Sequence, residues 1–228
     1  KNIDEVRESR KTFLTKIRNL DRYVPESSIY SRYPLSVCTK SFDGDCAVDE
    51  ITTDWMVTNY YKGGKISEEL RKLILDDSLG YRPLVGVAAL MGKKFGFKGH
   101  VFCFLPLPQK TKSVTGLPVH VNGFFALSQN RRHIKWPSAE QDTMHIHGDK
   151  SLLWNEKLLT EVLPDAYEIL ITEVINHAMK KENPDDLVQC VYASIPSADK
   201  VVDEWNAILL SLSEKIMIIP TLMTVNKT

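Results

Sequence analysis

The sequence lacks the marks of several protein classes. Its 228 residues include 4 cysteines, Cys38, Cys46, Cys103 and Cys190, widely spaced and with no Cys-x-x-Cys pair. That excludes a disulfide scaffold and a zinc ribbon, and it suits a reducing compartment. No run approaches the ~18 apolar residues of a membrane-spanning helix. The chain opens on Lys1, with neither the basic region nor the apolar run of a signal peptide. This predicts a soluble, cytoplasmic piece of a longer protein. Asn226-Lys227-Thr228 matches the glycosylation triplet, but without a secretory signal it reads as chance. Net charge is missing too, with 29 basic against 29 acidic residues. That argues against a histone-like tail, a polybasic membrane anchor or an acidic solvating tail.

The most telling absence is local. Residues 78–139 contain nine basic groups and no acid. The other blocks are residues 1–77 at −1, 140–214 at −10 and 215–228 at +2. The zero is therefore a sum of unlike blocks. One reading is a basic face for phosphate or an acidic partner; the other is that the acidic block folds back and neutralises it. No RNA-recognition motif or zinc finger is present, so nucleic acid is not an expected partner.

What is present is an ordinary globular composition, 43% hydrophobic and 25% charged, long enough to bury a sizeable core. Ile3, Val6, Phe13, Leu14, Ile17 and Leu20 recur at helical spacing, predicting an amphipathic helix over 3–20. Residues 34–61 turn to β character around an Asp43-Gly44-Asp45 turn signal. Ser67 is placed to cap a short helix over 68–76. Leu84–Met91 and Val101–Leu105 are apolar runs of strand length, and Val119–Leu127 is a third. Asn122-Gly123 inside that third run predicts a tight hairpin turn. Leucines from 152 onward and a second stripe after Pro164 predict two helices, and a third helix is expected over 199–216. The reading is α+β (mixed α/β), a central mixed sheet with flanking helices. Residues 1–150 would form a β-rich domain with an N-terminal helix, and 151–228 a helical part packed on it.

Several chemical motifs fail on inspection. Gly86 to Gly92-Lys93 has five spacers where a phosphate loop needs four, and Lys94 where it needs Ser or Thr. Asp142, His145 and His147 sit in a polar loop without further ligands, so no metal is expected. Cys103, with His100 or His120 as base, lies in an apolar run where a thiol is inert. Glu68-Glu69 and Asp76-Asp77 read as a solvated helix face. No Gly-x-Ser-x-Gly elbow exists. The remaining cluster is Arg131, Arg132 and Lys135, just beyond a strand-like run. Arginine forks suit phosphate or carboxylate, so these three are candidates for a phosphate or an acidic partner. Pairing with Glu156 or Glu161 is the alternative.

The segment Gly116-Leu-Pro-Val-His-Val-Asn-Gly-Phe-Phe-Ala-Leu-Ser-Gln-Asn-Arg-Arg132 resembles the repeated regions of the sacsin family of very large cytosolic co-chaperones. Phe102–Pro108, Leu152-Leu-Trp-Asn-Glu156 and Asp199–Leu210 with its Trp205 fit the same pattern. In that family each repeat begins with an ATPase domain similar to the GHKL group, which includes the ninety-kilodalton heat-shock chaperones. The resemblance implies that this chain follows such a domain. It shows no Glu-x-x-x-Asn and no Asp-x-Gly-x-Gly, so it would hold no nucleotide and needs no cofactor. It also implies a fold like the chaperone middle domain, which offers a basic residue to the γ-phosphate and a surface to clients. The implied partners are the preceding ATPase-like domain and client proteins, with heat-shock chaperones reached through a J domain elsewhere in the chain. Two functions follow from the resemblance: a non-enzymatic folding and quality-control module, or a module that assists hydrolysis by donating Arg131 or Arg132 to the γ-phosphate.

Overall fold

The structure is a computed structural model that describes residues 3–20, 24–44, 46–92, 97–108, 110–137, 149–180 and 189–217. Its first helix, α1 (Ile3–Arg18), has Asp4 and Glu5 in the first turn and Lys16 and Arg18 in the last, matching the helix dipole. It buries Phe13 and Ile17 against Tyr61.

A long hairpin follows. Strand β1 (Ile29–Asp43) pairs antiparallel with β2 (Cys46–Tyr61). Gly44 turns the tip at φ 58°, a conformation glycine adopts without strain. Ser67 caps α2 (Glu68–Leu75) by accepting from Leu70 N–H, as its position predicts. Strand β3 (Leu84–Met91) then pairs antiparallel with β2, but only from Tyr61 down to Asp54. Residues 37–44 and 46–53 of the hairpin therefore extend beyond β3 as a two-stranded arm, and Val37, Phe42, Val48 and Ile51 on it are exposed.

Two expectations in the middle of the chain need correction. The run after Val101 gives a strand of only two residues, β4 (Val101–Phe102). Phe104 turns to φ 62°, and Pro106 and Pro108 lack the donors to extend a ladder. Asn122-Gly123 is not a turn. Both residues lie inside β5 (His120–Gly123), with Asn122 opposite Gly86 and Gly123 opposite Val85. A hairpin turn needs its flanking runs to pair with each other; here the run instead wedges between β3, antiparallel, and β4, parallel. Gly123 serves close packing, since a Cβ there would meet the Phe125 ring at 3.1 Å and Val85 at 3.3 Å. The result is a mixed five-stranded sheet in the order β1-β2-β3-β5-β4.

The C-terminal part is helical. Asp149 caps α3 (Lys150–Lys157), which runs through a π turn (Leu158–Val162) into α4 (Leu163–Met179). The two predicted helices are thus joined. Pro164 has no N–H, and the wide turn absorbs it, with Leu163 N–H reaching Leu158 O. A short 3₁₀ turn at Asp203–Trp205 leads into α5 (Ala207–Ile216). One face of the sheet, with Met56, Tyr60, Val85, Val87 and Val121, packs with Trp154, Leu163, Tyr167, Val174 and Trp205 in a single core. The Oγ1 of Thr58 is buried there and has no hydrogen-bond partner among the described residues.

Candidate functional site

The basic cluster sits on a clamped turn. Leu127 and Ile134 bridge in antiparallel fashion, and Ser128 N–H donates to His133 O at 2.9 Å. Ser128 Oγ donates to Asn130 Oδ1, which also accepts Arg132 N–H at 3.1 Å. Arg131 N–H donates to Ser128 O at 2.7 Å, and Arg131 itself is held at φ 55°. Both arginine side chains are exposed, and neither makes an ion pair among the described residues. Glu161 is engaged instead with Lys157 and Ser67.

The base of this turn is fixed from α3. Asn155, 1% exposed, accepts Ala126 N–H at 2.7 Å and donates to Ala126 O and Lys135 O. The buried Trp154 donates its indole N–H to Phe124 O at 2.7 Å. Lys135 is the third member of the predicted cluster, but it is not free. Its Nζ lies 2.5 Å from Asp149 Oδ2, while Asp149 also caps α3. Burial pushes the Asp149 carboxyl up, and Lys135 with the capping N–H groups brings it below its ordinary value. So Arg131 and Arg132 stand together as exposed cations, and Lys135 belongs to their support. Sequence reasoning missed Asn155; the signal was an amide inside the apolar 152–163 stripe.

A second feature, also missed, lies on the other face of the sheet. Strand pairing sets Ser31, Asn59, Gly86, Asn122 and Phe102 side by side across all five strands. Among the described residues this face is only partly covered. α1 crosses one end of it, leaving a cleft of about 170 Å³ between Phe13, Leu14 and the sheet. A second cleft of about 320 Å³ continues over Val57, Ala88, Phe102 and His120. Asn59, Gly86, Phe104 and Asn122 line both. Gly86 leaves its floor open, since a Cβ there would come within 3.1 Å of Asn59 Oδ1.

His120 closes the far end. Its ring stacks on Trp55 at 5.2 Å and meets Phe97 and Phe102. Its Nδ1 accepts His100 N–H at 3.0 Å, which leaves the ring proton on Nε2. Burial, with His100 nearby, lowers its pKa to about 4, so the ring is neutral at pH 7. Cys103 packs toward the core, away from His120. Burial raises its thiol to about 11, far from a nucleophile's range. Glu69 pairs with Lys157, and Asp76 with Lys150 and Ser78, which hold its carboxyl down at about 2. The described residues include no group of three metal-ligating side chains. Asp142, His145, His147, Lys93 and Lys94 lie outside the described residues. No described helix is long and apolar enough to cross a membrane.

No family model and no solved structure matches the chain. Human sacsin does match it, with 38% identity over 179 residues, or 74% of this chain. The matched stretch is 4% of sacsin's own length. Within the fold, Trp154 and Asn155 are seated under the 124–135 chain. On that identity, the chain is a sacsin-like region.

Proposed function

We propose that this chain is a non-enzymatic module of a large cytosolic co-chaperone, one that packs against an ATPase-like domain and aids folding and quality control by holding that domain or a client. The observation that carries this reading is the open sheet face. Two joined clefts run over Asn59, Gly86 and Asn122, and the aromatic end at Trp55 continues into the exposed arm. Apolar surface mixed with side-chain amides suits extended polypeptide, which needs both burial and hydrogen bonds. Ala88 lies on the floor of this face, opposite His120. Ala88→Arg should fill the cleft, weaken binding of the preceding domain and weaken suppression of aggregation of a heat-unfolded test protein. An Ala88→Arg variant that retains its circular dichroism and both activities would refute the reading.

A second reading has its own support. Arg131 and Arg132 are exposed, unpaired among the described residues and fixed by a clamped turn. In this reading one of them neutralises charge developing on the γ-phosphate held by the preceding domain. The test is ATP hydrolysis by a longer chain carrying that domain. Arg131→Ala with Arg132→Ala should reduce it at least tenfold, and an unchanged rate would exclude this role.

A further inference from the structure

We propose that the outer edge of β1 pairs with the same edge of a second copy of this chain, about a two-fold axis at Val37. This goes beyond the client-holding reading and does not depend on it. Among the described residues β1 is the end strand of the sheet and is bonded on one side only. An open edge is a template for another strand unless charge, proline or a covering element blocks it.

The arm has two such edges, and they differ. Below the end of β3, β2 carries Asp49 and Glu50, which repel a like edge. β1 offers Leu35-Ser36-Val37-Cys38-Thr39, five uncharged residues rich in β-branched side chains, between Pro34 and Lys40. Nearer the body, Tyr30–Arg32 lie against α1, so the free stretch is 34–40.

Pro34 indicates which groups face out. A proline within a sheet sits where its missing N–H would point away from the neighbouring strand. Pro34 pairs with Met56, so the N–H and C=O of Pro34's own period, those of Ser36 and Cys38, also face outward. An antiparallel pair centred on Val37 sets Ser36 opposite Cys38 of the second copy, and Cys38 opposite Ser36. Both ends of the free stretch also fit, because Lys40 then meets Pro34. Moving the axis to Ser36 would put Lys40 opposite Arg32, two like charges. Moving it to Cys38 would separate the two valines.

The side chains agree with this register. Leu35 lies opposite Trp55, Val37 opposite Thr53 and Thr39 opposite Ile51, all on one face of the arm. The other face is polar, with Ser36 bonded to Asp54 and Lys40 paired with Glu50. A two-fold axis through the sheet keeps like faces together. The two arms would then form one four-stranded sheet with a continuous apolar side.

The test is the sedimentation of the 228-residue chain over a range of concentrations. The expected result is a concentration-dependent dimer. Val37→Lys and Val37→Glu, each alone, should lose it, since each sets like charges together at the axis. Mixing the two should restore a dimer, because Lys then faces Glu. Cys38→Pro removes an outward N–H, leaves the β1–β2 ladder intact and should also give a monomer. A wild-type chain that stays monomeric at its highest soluble concentration overturns the proposal. So does a dimer that survives the single substitutions, or a mixture of the two that stays monomeric.

Discussion

Lys135 Nζ lies 2.5 Å from Asp149 Oδ2, and this ion pair ties the acid-free stretch to the acidic block that follows it. Three other acids of that block are engaged elsewhere. Glu173 pairs with Arg32, Asp165 with Lys62 and Lys215, and Glu161 with Lys157. Beyond the Lys135–Asp149 pair, the two blocks make no ion pair among the described residues, and Lys98, Lys112, Arg131 and Arg132 are exposed. Lys135→Ala should cost up to ~1 kcal/mol, because it removes a half-buried pair that also steadies a helix cap. Arg131→Ala and Arg132→Ala should each change stability by less than ~0.5 kcal/mol. Urea unfolding of the three variants separates the supporting cation from the presented ones.

Asn155 makes a sharper prediction. Its side chain satisfies Ala126 N–H, Ala126 O and Lys135 O from a site 1% exposed. Asn155→Leu would take the side-chain partner from Ala126 N–H and Lys135 O, at about 3 kcal/mol, while Ala126 O keeps Lys135 N–H at 2.9 Å. Amide exchange should then accelerate over 126–135 before it does in β2 or β3. Uniform acceleration throughout the sheet would show that Asn155 does not act locally.

Much of this fold was legible in the chain, and the exceptions share a cause. Helix α1, the hairpin, the Ser67 cap and β3 follow from periodicity and capping, which are local. Asn122-Gly123 misled because its turn propensity is local while its placement is set by two distant strands. The basic turn was visible as residue types, but Lys135 could be told from Arg131 and Arg132 only by knowing where Asp149 falls. The open sheet face was invisible because Asn59, Gly86 and Asn122 lie far apart in sequence and meet only through strand order.

Thr58 points to a stabilising change. Its Oγ1 is buried under α4 without a hydrogen bond, and the residue is fully buried. Valine has nearly the same shape and no hydroxyl to desolvate. Thr58→Val should raise stability by about 1 kcal/mol, which for a chain of this size is about 2–4 °C in Tm. Calorimetry checks it, and a fall in Tm would mean that the hydroxyl is satisfied after all.

His120 should make stability depend on pH. Burial lowers its folded pKa to about 4, whereas the unfolded side chain titrates near ~6.5. Between those values the unfolded state binds the extra proton, so stability falls as pH drops from ~6.5 toward 4. Asp165 acts on the same side but lower. Burial raises its carboxyl, and hydrogen bonds from Lys215, Lys62 and Tyr60 more than offset that, so its folded pKa lies below its unfolded one. Its contribution is present above the unfolded carboxylate value and is lost as pH falls through the folded one. The upper part of the window, from ~6.5 to ~5, therefore separates His120 from Asp165. His120→Phe should lower stability at pH 7, since His100 N–H loses its acceptor, yet flatten the slope in that window. An unchanged slope would assign the titration to another group.

Arg131 carries the last prediction. It holds φ 55° although it has a Cβ, a conformation that costs an ordinary residue ~1–2 kcal/mol and glycine almost nothing. Glycine loses ~0.5–1 kcal/mol by its freer unfolded chain. Arg131→Gly should therefore match the parent or exceed it by up to ~1.5 kcal/mol. Arg132 has no such backbone angle, so Arg132→Gly should lose ~0.5–1 kcal/mol. Opposite signs from neighbouring arginines would show that the cation at 131 is kept against its own conformational preference. If Arg131→Gly also abolishes binding of the preceding domain or its hydrolysis, the strain is the cost of presenting that guanidinium. If Arg131→Gly is more stable and fully active, the turn needs only its shape, and the arginine at 131 is not the phosphate-facing group.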